Sequence, residues 1–353
     1  EGLGLTVRLA APTGRAAKRM SEATGREAQT LHRLLDYSPQ EGFSHDEARP
    51  LKLDALIVDE LSMVDLLLMF HLAQALPPRA LLVLVGDVDQ LPAVGAGNVL
   101  RDLISSGAAQ VIELQEIFRQ ARQSLIVTNA HRINRGKFPE LKPRPEGDFF
   151  FLEVAEPEEV ARTIEELVAR RLPAHYGLDP VEDIQVFSPM YRGAAGADAL
   201  NRALQERLNP RRTDHPSPAL RYGGRSFRAG DKVMQIHNDY EKDVFNGDIG
   251  RVRLADPIEQ QLVVSYPGRG EVLYELADLS DLVIAYAITV HKAQGSEYRA
   301  IVLPWLTQHY IMMQRNLLYT AVTRARELVV IVGTKRALWL AIRNDKQVRR
   351  YSG

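Results

Sequence analysis

Two stretches, DALIVDELS at 54–62 and LLVLVGDVDQLP at 81–92, decide how this chain folds. Each opens on a short run of Leu, Ile, Val and Ala and ends in acidic or amide side chains. Runs of this kind suit strands of a parallel sheet, buried on both faces. In open α/β sheets ligands gather beyond the carboxyl ends of the strands, so the polar tails mark a site. Asp59 and Glu60 suit a nucleotide-hydrolysing pair: one carboxylate holds Mg²⁺ and the next orients the attacking water. Gln90, leaving the second strand, suits an amide that senses a γ-phosphate. An acidic helix cap is the ordinary alternative for Asp59-Glu60, and Asp87 with Gln90 on a neighbouring strand weighs against it. No G-x-x-x-x-G-K-[ST] phosphate loop occurs in the 353 residues.

The flanking sequence extends the pattern. LTVRLAA (5–11) reads as a strand, followed by a loop and a helix that closes at Gly25. QTLHRLL (29–35) reads as a short helix, and the polar stretch 36–53, with Pro39, Gly42 and Pro50, as an excursion forming a small hairpin. Strand 54–59, helix 62–76, strand 80–85 and helix 97–106 follow. Such alternation predicts right-handed crossovers and a mostly parallel sheet. A second α/β unit begins near 148, with strand 148–153, helix 156–171, strand 183–188 and helix 195–208. Between 221 and 283 the texture changes to short β-rich runs (DKVMQI, DIGRVRL, QLVVSYP, EVLYEL) separated by turn pairs such as Asn246-Gly247. That segment reads as a small antiparallel barrel inserted in the second unit. The parallel pattern resumes with AYAITVH, AIVLPW and ELVVIVG.

Composition narrows the classes. Charged residues make up 25% and hydrophobic residues 45%, ordinary for a globular protein of two or three domains. No apolar run nears the roughly 20 residues of a membrane span, and no signal peptide is read at EGLGLTVRLAAPTG. Zero Cys excludes disulfides and thiolate metal sites and fits a cytoplasmic protein. The net charge of −1 argues against a generally basic coat, but segment 286–353 carries eleven Lys/Arg against three Asp/Glu. A basic carboxyl-terminal region could face a polyanion.

Four further segments carry candidate chemistry. APTGRAAKRM (11–20) follows a strand, and Thr13 with the loop amides can hold a phosphate. ELQEIFRQ (113–120) places Arg119 beyond a predicted strand, and LLYTAVTRARE places Arg324 and Arg326 where a helix runs into the last strand. An Arg aimed at a γ-phosphate speeds hydrolysis by about 10³–10⁵-fold; a surface ion pair is the alternative. In ITVHKAQGSEY (288–298), Thr289, His291 and Lys292 end a strand, Gly295 permits close backbone approach, and Glu297 can accept from a polar ligand group. Tyr191, Tyr240 and Tyr298 are candidates for stacking on bases.

In this order the segments LAAPTGRAAKRM, TLHRLL, ALIVDELSMVD, LVLVGDVDQLP, ELQEIFRQ, NDYEKDVFNGDIGRV, AITVHKAQGSEY and LLYTAVTRAR resemble the superfamily 1 helicases, nearest the RecD-like branch. They span residues 9–326. The resemblance implies an α/β fold of two RecA-like parallel-sheet domains, with ATP in their cleft and single-stranded DNA across the top. The first domain would be 1–147, with a strand-separating pin at about 36–53. The second would be 148–220 with 284–353, carrying an SH3-like module at 221–283. By motif, Asp59 would hold Mg²⁺, Glu60 would activate water, and Gln90, Arg119 and Arg324 would contact the γ-phosphate. Gly295 and Glu297 would lie near the nucleotide, and Pro12, Thr13, Thr30, His32, Thr289 and His291 along the DNA. The implied activity is ATP-dependent 5′–3′ translocation on single strands and at duplex junctions, in DNA repair or recombination. The family's phosphate loop belongs just ahead of residue 1, so this chain is expected to be truncated and to hydrolyse ATP negligibly alone. A non-catalytic nucleic-acid-binding scaffold and the helicase part of a conjugative relaxase are the alternatives.

Overall fold

The computed structural model describes residues 4–114, 124–142, 147–211 and 218–345. They fall into two compact units, the first 4–114 with Gln294–Ser296, the second 124–142, 147–211, 218–293 and 297–345.

The first unit is built on strands β1 (Val7–Ala11), β2 (Ala28–Thr30), β5 (Ala55–Val58) and β6 (Leu81–Leu84) in the order β2-β1-β5-β6, every pairing parallel. Helix α1 (Gly14–Thr24) connects β1 to β2. It starts where the Thr13 hydroxyl accepts from the Ala16 amide and stops at Gly25, left-handed at φ 66°. Helix α2 (Leu31–Leu34) follows, then a two-rung hairpin of β3 (Tyr37–Ser38) and β4 (Gly42–Phe43) inside the predicted excursion. The expected single helix 62–76 is broken. A 3₁₀ turn, Leu61–Met63, comes first, and α3 (Leu66–Ala75) starts afresh where Asp65 caps the Leu68 amide. Helix α4 (Val99–Ser106) ends at left-handed Gly107. The core gathers Leu31, Leu35, Leu56, Leu61, Leu68 and Leu72. The strand expected ahead of Arg119 does not form across 111–114.

The second unit opens with α5 (Leu125–Asn134), capped by Ser124, then β7 (Phe149–Glu153). Helix α6 (Pro157–Glu166) runs through a π-turn, Leu167–Arg171, into α7 (Leu172–Tyr176), longer than the predicted 156–171. Pro173 lacks an amide hydrogen, and the widened turn before it accommodates that. Strand β8 (Ile184–Ser188) and helix α8 (Ala197–Leu208) precede the insert. There, β9 (Ala219–Tyr222) pairs with β10 (Arg225–Arg228). Strands β11 (Lys232–Gln235), β12 (Ile249–Asp256), β13 (Gln261–Tyr266), β14 (Gly270–Glu275) and β15 (Leu282–Ile284) form one antiparallel sheet, ordered β14-β13-β12-β11-β15. Gly250 is obligatory: a Cβ there would lie 2.5 Å from Val264. The insert has its own core of Phe227, Val252, Leu262, Val264, Tyr274 and Leu282.

Beyond the insert come β16 (Ala287–Thr289), β17 (Tyr298–Trp305), α9 (Arg315–Thr323), β18 (Ala325–Gly333) and α10 (Lys335–Arg343). The parallel sheet is ordered β16-β8-β17-β18-β7, so chain segments on either side of the insert interleave in one sheet. Its centre is apolar on both faces, with Val186, Val302 and Val330 buried on one and Ile301, Val329 and Ile331 on the other.

Buried Asp231 joins insert to helix. Its carboxylate accepts from Gln205 Nε2 (2.6 Å), Asn209 Nδ2 (2.8 Å), the Arg228 amide (2.8 Å) and the Tyr286 hydroxyl (3.1 Å). Burial pushes its pKa up despite these donors.

Candidate nucleotide and nucleic-acid sites

The acidic pair sits where three parallel strands of the first unit end. The Asp59 amide donates to the Ala10 carbonyl of β1 (3.0 Å), and the Leu61 amide to the Val85 carbonyl beyond β6 (2.9 Å). Asp59 Oδ1 accepts from the Glu60 amide (2.8 Å). Glu60 is left-handed, φ 53°, a conformation that costs a side-chain-bearing residue about 1–2 kcal/mol. Gly86 makes room for this turn, because a Cβ there would lie 2.9 Å from Leu100 Cδ2 and 3.1 Å from the Leu61 amide nitrogen. The helix-cap alternative does not hold here: the Glu60 side chain makes no cap hydrogen bond to the 3₁₀ turn that follows it, and Asp65 caps α3. The Glu60 carboxylate lies 4.0 Å from the Arg19 guanidinium. Gln90, 8% exposed, donates to Asp87 Oδ2 at 3.2 Å. Asp59, Glu60, Asp87 and Gln90 thus occupy the ends of two hydrogen-bonded strands.

Residues 294–296 pack with the first unit. Gln294 Nε2 donates to the Leu91 carbonyl (2.8 Å), and Arg15 donates to the Ser296 hydroxyl (2.6 Å). Gly295, at φ +70°, faces Thr13, whose Oγ1 would lie 2.8 Å from an added Cβ. The close approach expected at Gly295 is therefore to Thr13. Arg15, Gln294 and Ser296 were missed as partners, and the polar run AQGSE after a strand was the available signal.

The remaining first-unit candidates cluster near the hairpin. Pro12 is half-buried between β1 and α1. The Thr30 hydroxyl caps α2 by accepting from the Arg33 amide (3.2 Å). His32 packs on Tyr37 and Phe43, with ring centroids 5.4 and 5.7 Å away, so it anchors both hairpin strands. Phe43 in turn contacts His71 at 4.4 Å. Burial lowers the His32 pKa, partly offset by Asp65, so the ring is neutral near pH 7.

In the second unit Thr289 ends β16 opposite Ser188. His291 lies in the 3₁₀ turn Val290–Ala293, against which α9 packs, and burial lowers its pKa. Lys292, its pKa also lowered by burial, donates to Asn246 Oδ1 in the insert (2.9 Å). Arg324, 4% exposed, follows α9, and its carbonyl accepts from the Tyr298 amide (2.9 Å). Glu297 is exposed. Arg119 lies outside the described residues.

No cluster of three or more His, Cys, Asp or Glu able to hold a metal occurs among the described residues. Mg²⁺ asks for less: it commonly takes one or two carboxylates and completes its shell with phosphate and water. Asp59, with one oxygen committed to the Glu60 amide, fits that use. No described helix is long and apolar enough to cross a membrane.

Three family models match: an AAA domain over residues 2–96, the SH3 domain of ATP-dependent RecD-like DNA helicases over 200–266, and the UvrD-like helicase C-terminal domain over 284–332. The chain is 40% identical over 351 residues to the ATP-dependent RecD2 DNA helicase of Deinococcus radiodurans, covering 99% of this chain and 46% of that protein. It is 32% identical to the RecBCD subunit RecD of Mycolicibacterium smegmatis, covering 98% and 65%. The chain therefore spans about half to two thirds of these relatives. In structure it is similar to the Pif1 helicase from Bacteroides solved with ADP-AlF3 and single-stranded DNA (TM-score 0.53, 19% identity, 94% of this chain and 82% of that one). It is also similar to Pif1 from Candida albicans (TM-score 0.51, 18% identity, 94% and 86%). The likeness bears out two RecA-like α/β domains, and the family model makes the insert SH3-like. By its domain matches and its relatives, this chain is similar to the RecD-like helicases.

Proposed function

We propose that the chain is the motor portion of an ATP-dependent DNA helicase that moves 5′ to 3′ along a single strand, acting in DNA repair or recombination. The observation that supports it most is the placement of Asp59-Glu60 and Asp87–Gln90 at adjoining ends of parallel strands, in a relative of RecD2 and RecD. Bound ATP with Mg²⁺ would supply the free energy for each step. Asp59 would hold the ion through its uncommitted oxygen, and Glu60, lifted by its left-handed turn, would accept the proton of the attacking water. Gln90, Arg119 and Arg324 are proposed to meet the γ-phosphate, with Gly295 and Glu297 near the nucleotide. Along the strand, Pro12 and Thr289 would give neutral contacts, and Thr13 and Thr30 keep a hydroxyl proton to donate after their lone pairs have capped helices. His32 and His291 would act as neutral donors. Duplex junctions would meet the hairpin that His32 braces.

The phosphate loop has a place in this reading. Among the described residues β6 pairs with β5 alone. Leu81, Val83 and Val85 along it are 63%, 38% and 46% exposed, in a sheet type normally covered on both faces. The strand-prone residues 111–114 are also bare, Ile112 78% and Leu114 94% exposed. One more apolar parallel strand along β6, ending in a phosphate loop, would cover such surface; we assign it to the part of the relatives that this chain does not span. This chain alone is then expected to hydrolyse ATP negligibly, and the same chain extended through such a loop to turn it over with single-stranded DNA. Robust turnover by the 353 residues alone would overturn the assignment, and an extended protein that binds DNA without any ATPase would leave the scaffold reading in its place.

A further inference from the structure

The left-handed turn at Glu60 fixes its backbone but not its side chain, which stays free to rotate about each bond of its stem. That side chain makes no cap hydrogen bond to the 3₁₀ turn after it, and it is only 14% exposed. A carboxylate so enclosed calls for an opposite charge. The charge comes from α1, whose basic residues point three ways. Arg15 donates to the Ser296 hydroxyl (2.6 Å), Lys18 lies 3.9 Å from Glu22 on its own helix, and Arg19 reaches across to Glu60 (4.0 Å). Packing sets that last direction. Ala16 and Arg19, one helical turn apart, share a side of α1. A Cβ on Gly295 would lie 3.7 Å from both Ala16 Cβ and Met63 Sδ, so this side of α1 and the turn Leu61–Met63 border the same glycine. The helix is held to the sheet: Ala16 and Ala17 are buried, and the Ser21 hydroxyl donates to the Ala17 carbonyl (3.1 Å) while accepting from the Ala28 amide of β2 (2.9 Å). Arg19 thus meets Glu60 from a fixed support.

We propose that Arg19 is a positioning residue: its guanidinium, carried on α1, holds the Glu60 carboxylate in the orientation that receives the proton of the attacking water. This role rests on Glu60 being the base, as proposed above. Arg19 touches neither the nucleotide nor the water in it and acts through Glu60. A base works only within about 2.6–3.2 Å of the proton it takes, so a carboxylate left to wander loses rate without loosening the nucleotide.

The test is single-strand-stimulated ATPase of the extended protein, with kcat and the KM for ATP measured separately. Arg19→Ala is expected to lower kcat about 10- to 100-fold, with KM within about twofold of wild type. Arg19→Lys keeps the charge and is expected to recover most of the loss. Lys18→Ala removes a charge from the adjoining position and is expected to turn over as wild type. The decisive comparison places Arg19→Ala in Glu60→Gln. Residues that act as one unit are not additive, so the double variant is expected to match Glu60→Gln alone to within about twofold. Arg19→Ala with a kcat at or above wild type, or an equal loss in Lys18→Ala, would overturn the proposal and leave Glu60 as the base. A further fall of about 10-fold in the double variant would also overturn it, because Arg19 would then act apart from Glu60. Undiminished turnover in Glu60→Gln would overturn the reading of Glu60 as the base, and the proposal with it.

Discussion

Gly295 shows how one position can serve both backbone and packing. Its φ of +70° is one that side-chain-bearing residues rarely adopt, and a Cβ would press on the Thr13 hydroxyl at 2.8 Å. Gly295→Ala is therefore expected to destabilise by about 1–3 kcal/mol, read as a lower urea midpoint at unchanged slope; an unchanged midpoint would refute the contact. His309 gives a pH signature. It is 2% exposed, its Nδ1 accepts from the Leu306 amide, Nε2 has no hydrogen-bond partner among the described residues, and burial pushes its pKa down to about 4. The unfolded chain, with an ordinary His near 6.5, takes up the proton first as pH falls. Stability from the neutral ring is thus whole above about pH 6.5 and declines between about 6.5 and 4, by up to about 3 kcal/mol. His309→Asn keeps an acceptor without that titration and is expected to flatten unfolding free energy across this window. An equally steep profile in the variant would assign the effect elsewhere.

Elements were legible where pattern and punctuation agreed. α1 shows both of its signals in sequence, Thr13 at the start and Gly25 at the end. Where the chain departs from expectation, the cause is local competition or a missing neighbour. The 62–76 run breaks because Asp65 caps α3 more effectively than Glu60 could from a left-handed turn. The run 111–114 has the composition of a strand, yet strand propensity is mostly the gain from packing against a neighbour, and these residues stay exposed. The Asp231 network was unreadable beforehand, since its partners come from α8, β10 and the approach to β16. Asp231→Ala would remove an acceptor from four donors at once, of which Gln205 and Asn209 keep only the Ser226 and Ala229 carbonyls. It is expected to destabilise the second unit by about 3–5 kcal/mol, measured by chemical denaturation with the insert's Tyr fluorescence as probe. A loss below about 1 kcal/mol would show that the insert stands independently of α8.

For the molecule as a whole, the alternation of apolar runs and helices disclosed two parallel-sheet domains and an antiparallel insert, since burial on both faces leaves so plain a mark. The candidate site was legible in part. Strand-end carboxylates advertise themselves, whereas the contacts of Gln294 with Leu91 and of Arg15 with Ser296 join residues more than 200 positions apart. Glu60 is proposed to activate the water that attacks ATP. The most direct test is single-strand-stimulated ATPase of the extended protein carrying Glu60→Gln, with nucleotide binding followed in parallel. The expected result is turnover lowered about 10²–10⁴-fold with ATP still bound; wild-type turnover in Glu60→Gln would contradict it.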